Sequence, residues 1–474
     1  MKKLYAFLTS VQPKQMLVKA ICFSALVFGA MFWLPLIFIT VAFVCTVIAF
    51  ERNFRSVYYV VFLLPFDAAF YLAPLTTTLP VIYGFFILFH LALYICKVRK
   101  SILKDRVFIV ILVVVGYAVF SPLVFGVSTF WANLTGAKAG NLFFTLGALF
   151  ILYLTIKNKE QLEIKNYSLF IVAGILLSAI FGFFIRLGSR GQGIMRWHYT
   201  GSGARYFGLI NVNPNVFHMI ILCAIFCLFA LSIKKQIGLT KLLPAFVALG
   251  FFGVLTMSRT FYIAFTLLVS AFIIIKIADT KTTKKQKAIF LGLILLATVV
   301  TLAMTYQHVI NTFDRMRSIL DTYPSTDGEH LYDPGRRGLM LRYLRGWYQN
   351  VLTIIFGNGI GSAYPLPSLS PHNMYIFLLW GGGIIGLVLV ASALVSLFIT
   401  AFNKKGFREN LGVAIIFLVC FGTVTMTETL IITPAFPIAF ISFFLFVSTA
   451  GCPGDPDPLK NTKTNTQPAL DESQ

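Results

Sequence analysis

Residues 333–361 read DPGRRGLMLRYLRGWYQNVLTIIFGNGIG, and residues 370–386 read SPHNMYIFLLWGGGIIG. The first segment carries paired arginines and ends in alternating glycines, and the second places a histidine in front of an apolar run at 374–400. About 20 apolar residues form a helix long enough to cross a bilayer. The two segments therefore predict a polar region outside the membrane that leads directly into a spanning helix.

The rest of the chain is also strongly apolar. Of its 474 residues, 58% are hydrophobic and 12% are charged, and the mean hydropathy is +0.83. Such a composition excludes a soluble globular protein, which carries about 25% charged residues. We expect an all-α polytopic membrane protein with about 12–14 transmembrane helices. Its membrane domain occupies residues 1–450, and the polar residues 451–474 are expected to form a disordered cytoplasmic tail.

Basic loops predict the orientation of the spans. The segments KVRKSILKDR (97–106), KNKEQLEIKN (157–166) and KTTKKQK (281–287) are expected in the cytoplasm, because lysine and arginine are enriched in cytoplasmic loops. Counting spans from these loops places two large loops, 186–215 and 307–373, on the outer face. The second of them is expected to be a large external helical loop. The expected spans are a pair within 16–50 divided at Pro35, then 57–74, 79–96, 107–126, 142–156, 167–185, 216–233, 243–257, 261–277, 288–306, 374–400, 412–431 and 433–449.

The two large outer loops contain arginine but no lysine, whereas a smaller outer loop between the spans 107–126 and 142–156 holds Lys138. The charge rule does not distinguish the two residues. An arginine fork binds two phosphate oxygens at once, whereas lysine offers a point charge. The pattern therefore predicts an external anion site, and the alternative is contact with lipid headgroups or loop carboxylates. The arginines are Arg186, Arg190, Arg196, Arg205, Arg315, Arg317, Arg336, Arg337, Arg342 and Arg345.

Apolar residues between Arg337 and Ile355 recur every three or four positions, which predicts an amphipathic helix. Arg337 falls in line with Leu341, Leu344 and Tyr348, so we expect it to face the helix bundle, where it would need an anionic partner. The glycines at 357–361 predict a tight turn. A dinucleotide site is rejected, because no βαβ unit surrounds them.

A helix start is expected at Ser370, with Ser370 as N-cap, Pro371 in the first position and His372 in the first turn. A helix N-terminus disfavours the imidazolium form, so His372 is a candidate general base beside an anion. The alternative is a capping or structural role.

Arg259 lies in Ser258-Arg259-Thr260, between two predicted spans with almost no loop. We expect it at the outer membrane surface, as a ligand for a lipid-linked phosphate or as a snorkelling side chain. Asp67 and Glu428 lie within apolar runs and are candidates for acceptor binding or for pairing with arginines. No clustered acids or cysteines predict a metal site, and no cofactor is expected.

These motifs together resemble the O-antigen ligase and Wzy-type polysaccharide polymerase superfamily. The resemblance is carried by Ser258-Arg259-Thr260, Gly335-Arg336-Arg337, Trp347, Gly357-x-Gly359-x-Gly361, His372-Asn373-x-Tyr375 and Gly383-Ile384-Ile385-Gly386. Arg205, Gly208 and Asn213-Pro214-Asn215 resemble an earlier external segment of that family. The specific motifs cover residues 205–386, and the remainder is similar only in topology.

The resemblance implies a bacterial glycosyltransferase of the cytoplasmic membrane whose active site is on the outer face. It would join glycan units linked to undecaprenyl pyrophosphate to an acceptor sugar hydroxyl, without metal, nucleotide sugar or nucleic acid. His372, Arg259 and Arg337 would be catalytic, and Arg205, Arg336 and Arg196 would bind the pyrophosphate. The implied partners are the lipid-linked oligosaccharide, the acceptor glycan, the lipid bilayer and a chain-length regulator.

Three functions remain open from the sequence. A polymerase is favoured by T-M-S-R-T (256–260) and the region around His372, whereas a ligase would transfer the glycan to lipid A core. A flippase or transporter of lipid-linked oligosaccharides would also need arginines for a pyrophosphate. Transport predicts charged groups along the middle of several spans and an internal repeat. We see neither, because we expect the spans to carry no charge apart from Asp67 and Glu428.

Overall fold

The computed structural model of this chain is built almost entirely of helices. It describes residues 2–30, 33, 35–66, 78–134, 136–188, 198–200, 203–205, 214–256, 258–278, 283, 288, 292, 306, 336–359, 372–427 and 435–449. Within these ranges, eight helices are long and apolar enough to cross a membrane, and five further apolar helices have 10–17 residues. The predicted class, a helical polytopic membrane protein, is confirmed. The long helices are fewer than predicted because several expected spans form shorter helices.

The helices agree with most predicted spans. In chain order they are α1 (Lys2–Thr9), α2 (Pro13–Ala30), α3 (Pro35–Glu51), α4 (Val57–Leu63), α5 (Thr78–Val98), α6 (Arg106–Phe120), α7 (Val127–Asn133), α8 (Gly136–Lys157), α9 (Ile164–Gly188), α10 (Pro214–Ile233), α11 (Leu239–Leu255), α12 (Arg259–Ala278), α13 (Arg336–Tyr348), α14 (Val351–Phe356), α15 (Met374–Ala401), α16 (Phe407–Thr427) and α17 (Ala435–Ser448). Two short strands, β1 (His198–Thr200) and β2 (Gly203–Arg205), form an antiparallel ribbon. Most of the expected span at 288–306, most of loop 307–373 and the tail at 451–474 lie outside the described residues.

Helix α10 is the centre of the bundle. It begins at Pro214, where the missing N–H costs no helical hydrogen bond. Within its candidate membrane span, Asn215–Ile233, 94% is buried inside the protein. It packs against α9, α11, α12, α16 and α17. A helix that is apolar on all sides is expected in this position, and α10 anchors the helices that carry the candidate site.

Hydrogen bonds join the loops that the charge rule assigns to the cytoplasm. Lys157 pairs with Asp105 at 2.5 Å, Arg55 contacts Glu163 at 3.5 Å, and the Arg408 guanidinium donates to the Ala278 carbonyl at 2.7 Å. Likewise, span ends that are predicted to face outward bond to each other, as described below. These contacts among the described residues therefore agree with the predicted alternation of the spans.

Lys234 closes the same end of the bundle. Its ammonium donates to the Asn410 side chain and to the Thr449 carbonyl, the latter at 2.7 Å. These bonds connect the ends of α10 and α17 to the start of α16. Burial lowers the pKa of Lys234 to about 8, because a desolvated ammonium is disfavoured relative to the neutral amine.

The expectation that the spans carry no charges besides Asp67 and Glu428 was wrong. Lys19 of α2 and Glu51 of α3 form a fully buried pair at 2.5 Å, and the Tyr59 hydroxyl donates to the same carboxylate oxygen at 2.5 Å. The Lys19 ammonium also donates to the Leu8 and Ser10 carbonyls, which fixes the end of α1. The pair therefore fastens the N-terminal helix to the bundle.

The predicted single helix from Arg337 to Ile355 is divided in two. Helix α13 ends at Tyr348, and Asn350 begins α14, because its side-chain oxygen accepts a hydrogen bond from the Leu352 amide at 2.9 Å. An asparagine cap competes with continuation of a helix. Apolar spacing alone continues across the break, so the periodicity did not reveal it.

Candidate functional site

Three glycines bring the two opening segments together. Gly357 ends α14 with φ +70° and ψ −173°, and Gly383 interrupts α15 with φ +61° and ψ −166°. A Cβ on Gly357 would lie 2.5 Å from the Gly381 carbonyl, and a Cβ on Gly383 would lie 2.6 Å from the Gly357 nitrogen. Only glycine permits such backbone conformations and such an approach. We call this contact of Gly357 with Gly381–Gly383 the glycine node.

Polar groups donate hydrogen bonds to backbone carbonyls around the break in α15. The Asn358 amide donates to the Trp380 carbonyl at 2.7 Å. The Tyr117 hydroxyl of α6 lies 2.6 Å from the Gly382 carbonyl and 3.0 Å from the Phe356 carbonyl. Interrupted helices occur within membranes only where other groups satisfy the freed backbone. The node therefore connects α6, α14 and α15 at one point.

The node also fixes α13 to the first half of α15. Trp380 lies above Gly346, where a Cβ would come within 2.9 Å of its ring, and it meets the Tyr343 ring edge-on at 5.3 Å. Tyr343 is fully buried. The helix that begins with Arg336 and Arg337 is thus coupled to the half-helix that follows His372.

His372 lies just before α15 and not in its first turn. Asn373 is the N-cap, and its side-chain oxygen accepts from the Ile376 amide at 3.0 Å. His372 has φ +50°, a left-handed conformation that is uncommon outside glycine and found often at functional sites. The expected N-cap, Ser370, and Pro371 lie outside the described residues. The cap was therefore predicted three residues too early, and the dipole argument for His372 loses its premise.

The residues beside His372 bind the end of α16. The Asn373 side-chain amide donates to the Met426 carbonyl at 3.0 Å, and the Tyr375 hydroxyl lies 3.4 Å from the Thr425 hydroxyl. Both bonds join the start of α15 to the last turn of α16, at the span ends that are predicted to face outward. They fix the backbone at His372 against the last turn of α16.

Arg259 begins α12 on a closely packed turn. The neighbouring Ser258 hydroxyl is buried and donates to the Asn215 side chain of α10 at 3.4 Å. On the other side, Phe261 packs so closely over Gly253 of α11 that no Cβ fits between them. A snorkelling arginine does not require such close packing around its backbone. The packing of Ser258 and Phe261 therefore favours a defined position for the start of α12.

Helices α12 and α16 are antiparallel, and their contacts set a register. Arg408 bonds to Ala278, and a Cβ on Gly412 would lie 3.4 Å from Ile275. Arg259 lies nineteen residues before Ala278, and Thr427 lies nineteen residues after Arg408. Because both helices rise equally per residue, this register sets the backbone of Arg259 opposite the last turn of α16. Arg259 and His372 therefore approach the same turn from different helices.

The predicted inward orientation of Arg337 stays a prediction, because its side chain is not among those that the structure describes, and Leu344 on the same face is half-buried. Leu341 and Tyr348, which share that face, are 43% and 56% exposed, whereas Tyr343 is fully buried. Tyr343 lies seven residues after Arg336, which is two helical turns and the same side of the helix. By register, the backbone position of Arg336, and not that of Arg337, falls in line with Tyr343.

The remaining predicted site residues are not brought into this arrangement. Arg205 lies in β2, directly opposite His198 in the ribbon, and no contact of the ribbon with the site is described. Arg196, Asp67 and Glu428 lie outside the described residues. Among the described residues there is also no group of three or more metal-ligating side chains.

Sequence reasoning did not identify Tyr117. It lies in an apolar span with no motif around it, and its role depends on contacts with residues more than 200 positions away. Comparison with protein-family models, curated proteins and solved structures gives no match to this chain.

Proposed function

We propose that the chain is a glycosyltransferase of the bacterial cytoplasmic membrane, acting on its outer face as a polymerase of a surface polysaccharide such as O-antigen, capsule or exopolysaccharide. Its substrates are glycan units linked to undecaprenyl pyrophosphate. The observation that carries this proposal is the pair of contacts at α16: Asn373, next to His372, bonds to its last turn, and the Arg408–Ala278 bond sets a register in which the start of α12 lies opposite that turn. Lysine-free outer loops rich in arginine support it independently.

The proposed reaction is a displacement at the anomeric carbon of the carrier-linked sugar. The acceptor hydroxyl oxygen forms a new bond to that carbon, and the bond to the pyrophosphate oxygen breaks. The electron pair leaves with the pyrophosphate, whose growing charge Arg259 stabilises together with an arginine of α13. His372 accepts the proton of the attacking hydroxyl, so atoms and charges balance without a metal.

Helix register favours Arg336 over Arg337 as the arginine of α13. The difference can be measured, because lysine keeps the charge but loses the planar fork. Arg336→Lys should lower glycan transfer more than Arg337→Lys. The opposite order would return the role to Arg337.

Three products distinguish the candidate functions. The purified chain in vesicles is given only the undecaprenyl-pyrophosphate-linked oligosaccharide. A polymerase forms longer carrier-linked glycans and releases undecaprenyl pyrophosphate. Product that forms only after addition of lipid A core indicates a ligase, and movement of the intact substrate across the bilayer without any new bond indicates a flippase. Either of the last two results rejects the polymerase.

Transport is the less favoured function on one structural ground. The buried pair Lys19–Glu51 is bonded to the end of α1, and Lys234 is bonded to the end of α17. Glu51 and Lys234 therefore lie where helices end, and Lys19 reaches Glu51 from the N-terminal half of α2. Among the described residues, no series of charged side chains follows a path along the spans.

A further inference from the structure

One lipid-facing stripe can be followed along α6. Ile109 and Val113 are 42% and 50% exposed, Phe120 is 59% exposed, and a Cβ on Gly116 would meet no atom within 4 Å. These positions recur at the three-and-four spacing of one helix face. Since α6 belongs to a 20-residue apolar span, its unpacked face borders the acyl chains.

The stripe does not stop where α6 stops. The Phe120 ring stacks on the Phe130 ring of α7 at 6.3 Å and 5°. Between them, the chain forms a 3₁₀ turn at Ser121–Phe125 and reverses at Gly126, which has φ +103°. The apolar surface of the span therefore continues onto a helix of seven residues, which is too short to cross a bilayer.

The continued surface, which we call the aromatic ledge, is large and uncharged. It consists of Phe120, Leu123, Val124, Val127, Phe130 and Trp131. Val127 and Trp131 are 63% and 59% exposed, and residues 121–131 contain no charged side chain. An exposed apolar surface of this kind marks a contact with a partner or a membrane.

Length fixes the depth of the ledge. From Arg106, the fifteen residues of α6 and the five of the 3₁₀ turn rise by about 32 Å. This matches the roughly 30 Å of hydrocarbon in a bilayer. Arg106 adjoins the Lys157–Asp105 ion pair at one boundary, so Leu123 to Trp131 reach the other. Tryptophan is enriched at that depth because its ring is apolar and its N–H is polar.

We propose that the aromatic ledge is a membrane-interface anchor that lies in the headgroup region of one leaflet. The Ser121–Phe125 turn also packs on α14, and Tyr117, one helical turn earlier, bonds to the glycine node. The anchor therefore holds the node at the membrane surface. The proposal does not depend on the proposed enzymatic function.

The test measures the depth of Trp131 by fluorescence. Trp33, Trp197, Trp347 and Trp380 are replaced by phenylalanine, and the chain is placed in phosphatidylcholine vesicles with spin labels near the headgroup or near the acyl end. The shallow label should cause the larger loss of Trp131 emission. In a control chain with Trp131→Phe and Val113→Trp, the deep label should cause the larger loss. Greater quenching of Trp131 by the deep label, or quenching only by aqueous iodide, overturns the proposal.

A second measurement needs no substitution, in case the tryptophan-poor chain does not fold. The natural chain is irradiated in vesicles that contain a phosphatidylcholine with a photoreactive group close to its headgroup. Adducts mapped to residues 123–131 are the expected result. Absence of adducts there, with adducts on other exposed apolar residues, contradicts the anchor.

Discussion

Replacing Gly357 by alanine tests the glycine node. The φ and ψ of Gly357 lie in a region that is essentially restricted to glycine, so alanine there costs about 1–3 kcal/mol in backbone strain. The added Cβ would also lie 2.5 Å from the Gly381 carbonyl. It must move away by about 1 Å to reach an ordinary contact.

That movement weakens the bonds across the node. The Asn358 amide and the Tyr117 hydroxyl each donate across it, and a hydrogen bond contributes about 0.5–1.5 kcal/mol net. Together with the strain, Gly357→Ala should lower the local stability of the node by about 3 kcal/mol. Exchange of the Asn358 amide should then be faster by about two orders of magnitude, since about 1.4 kcal/mol corresponds to a factor of ten.

Hydrogen–deuterium exchange of the purified chain, read on peptides that contain Asn358, measures this change. Gly116→Ala is the matched control, because its Cβ would meet nothing within 4 Å, and alanine favours a helix over glycine. Unchanged exchange at Asn358 in Gly357→Ala would refute the close backbone contact. Equal acceleration by Gly116→Ala would show a general loss of stability.

Three further changes test separate parts of the structure. Tyr117→Phe removes the hydroxyl shared by two carbonyls of the node, so Asn358 exchange should accelerate, and a rate equal to the natural one would contradict this role. Gly253→Ala should displace the first turn of α12 and raise the KM of glycan transfer, whereas Gly250→Ala, with open space around its Cβ, should not. Identical KM values would show that the packing of Phe261 on Gly253 does not position Arg259. Between pH 8 and 10.5, Lys234 is protonated in the unfolded chain but has lost its proton in the folded one. The free energy of unfolding should therefore rise with pH, by at most about 3 kcal/mol. If the melting temperature of Lys234→Met rises with pH as steeply as that of the natural chain, Lys234 is not the cause.

Much of the fold could be predicted because it depends on local composition. Apolar runs and basic loops predicted α2, α3, α9, α12 and α15 to within a few residues, since a membrane requires long apolar helices whatever their neighbours are. The paired glycines predicted a turn at Gly357. Its partner in α15 could not be predicted, because a backbone contact between distant segments leaves no periodic signal.

The candidate site was predicted less completely. The residue types of Arg259 and His372 indicated their chemistry, but their common neighbour, the last turn of α16, follows only from helix register and from the Asn373 bond to Met426. The predicted orientation of Arg337 stays a prediction, because apolar residues of a membrane-bound helix can face lipid as well as protein. Apolar spacing therefore does not identify the packed face of α13, whereas the burial of Tyr343 does.

The central claim is that Arg259 and His372 act at one site beside the end of α16. The direct measurement is glycan transfer by reconstituted variants at equal protein abundance, with Arg408→Lys as a control at the opposite end of the bundle. His372→Ala should lower the rate by about a hundredfold or more, as expected for loss of a general base. Arg259→Lys should lose most activity, and Arg408→Lys should keep it. Full activity in both His372→Ala and Arg259→Lys would contradict the site.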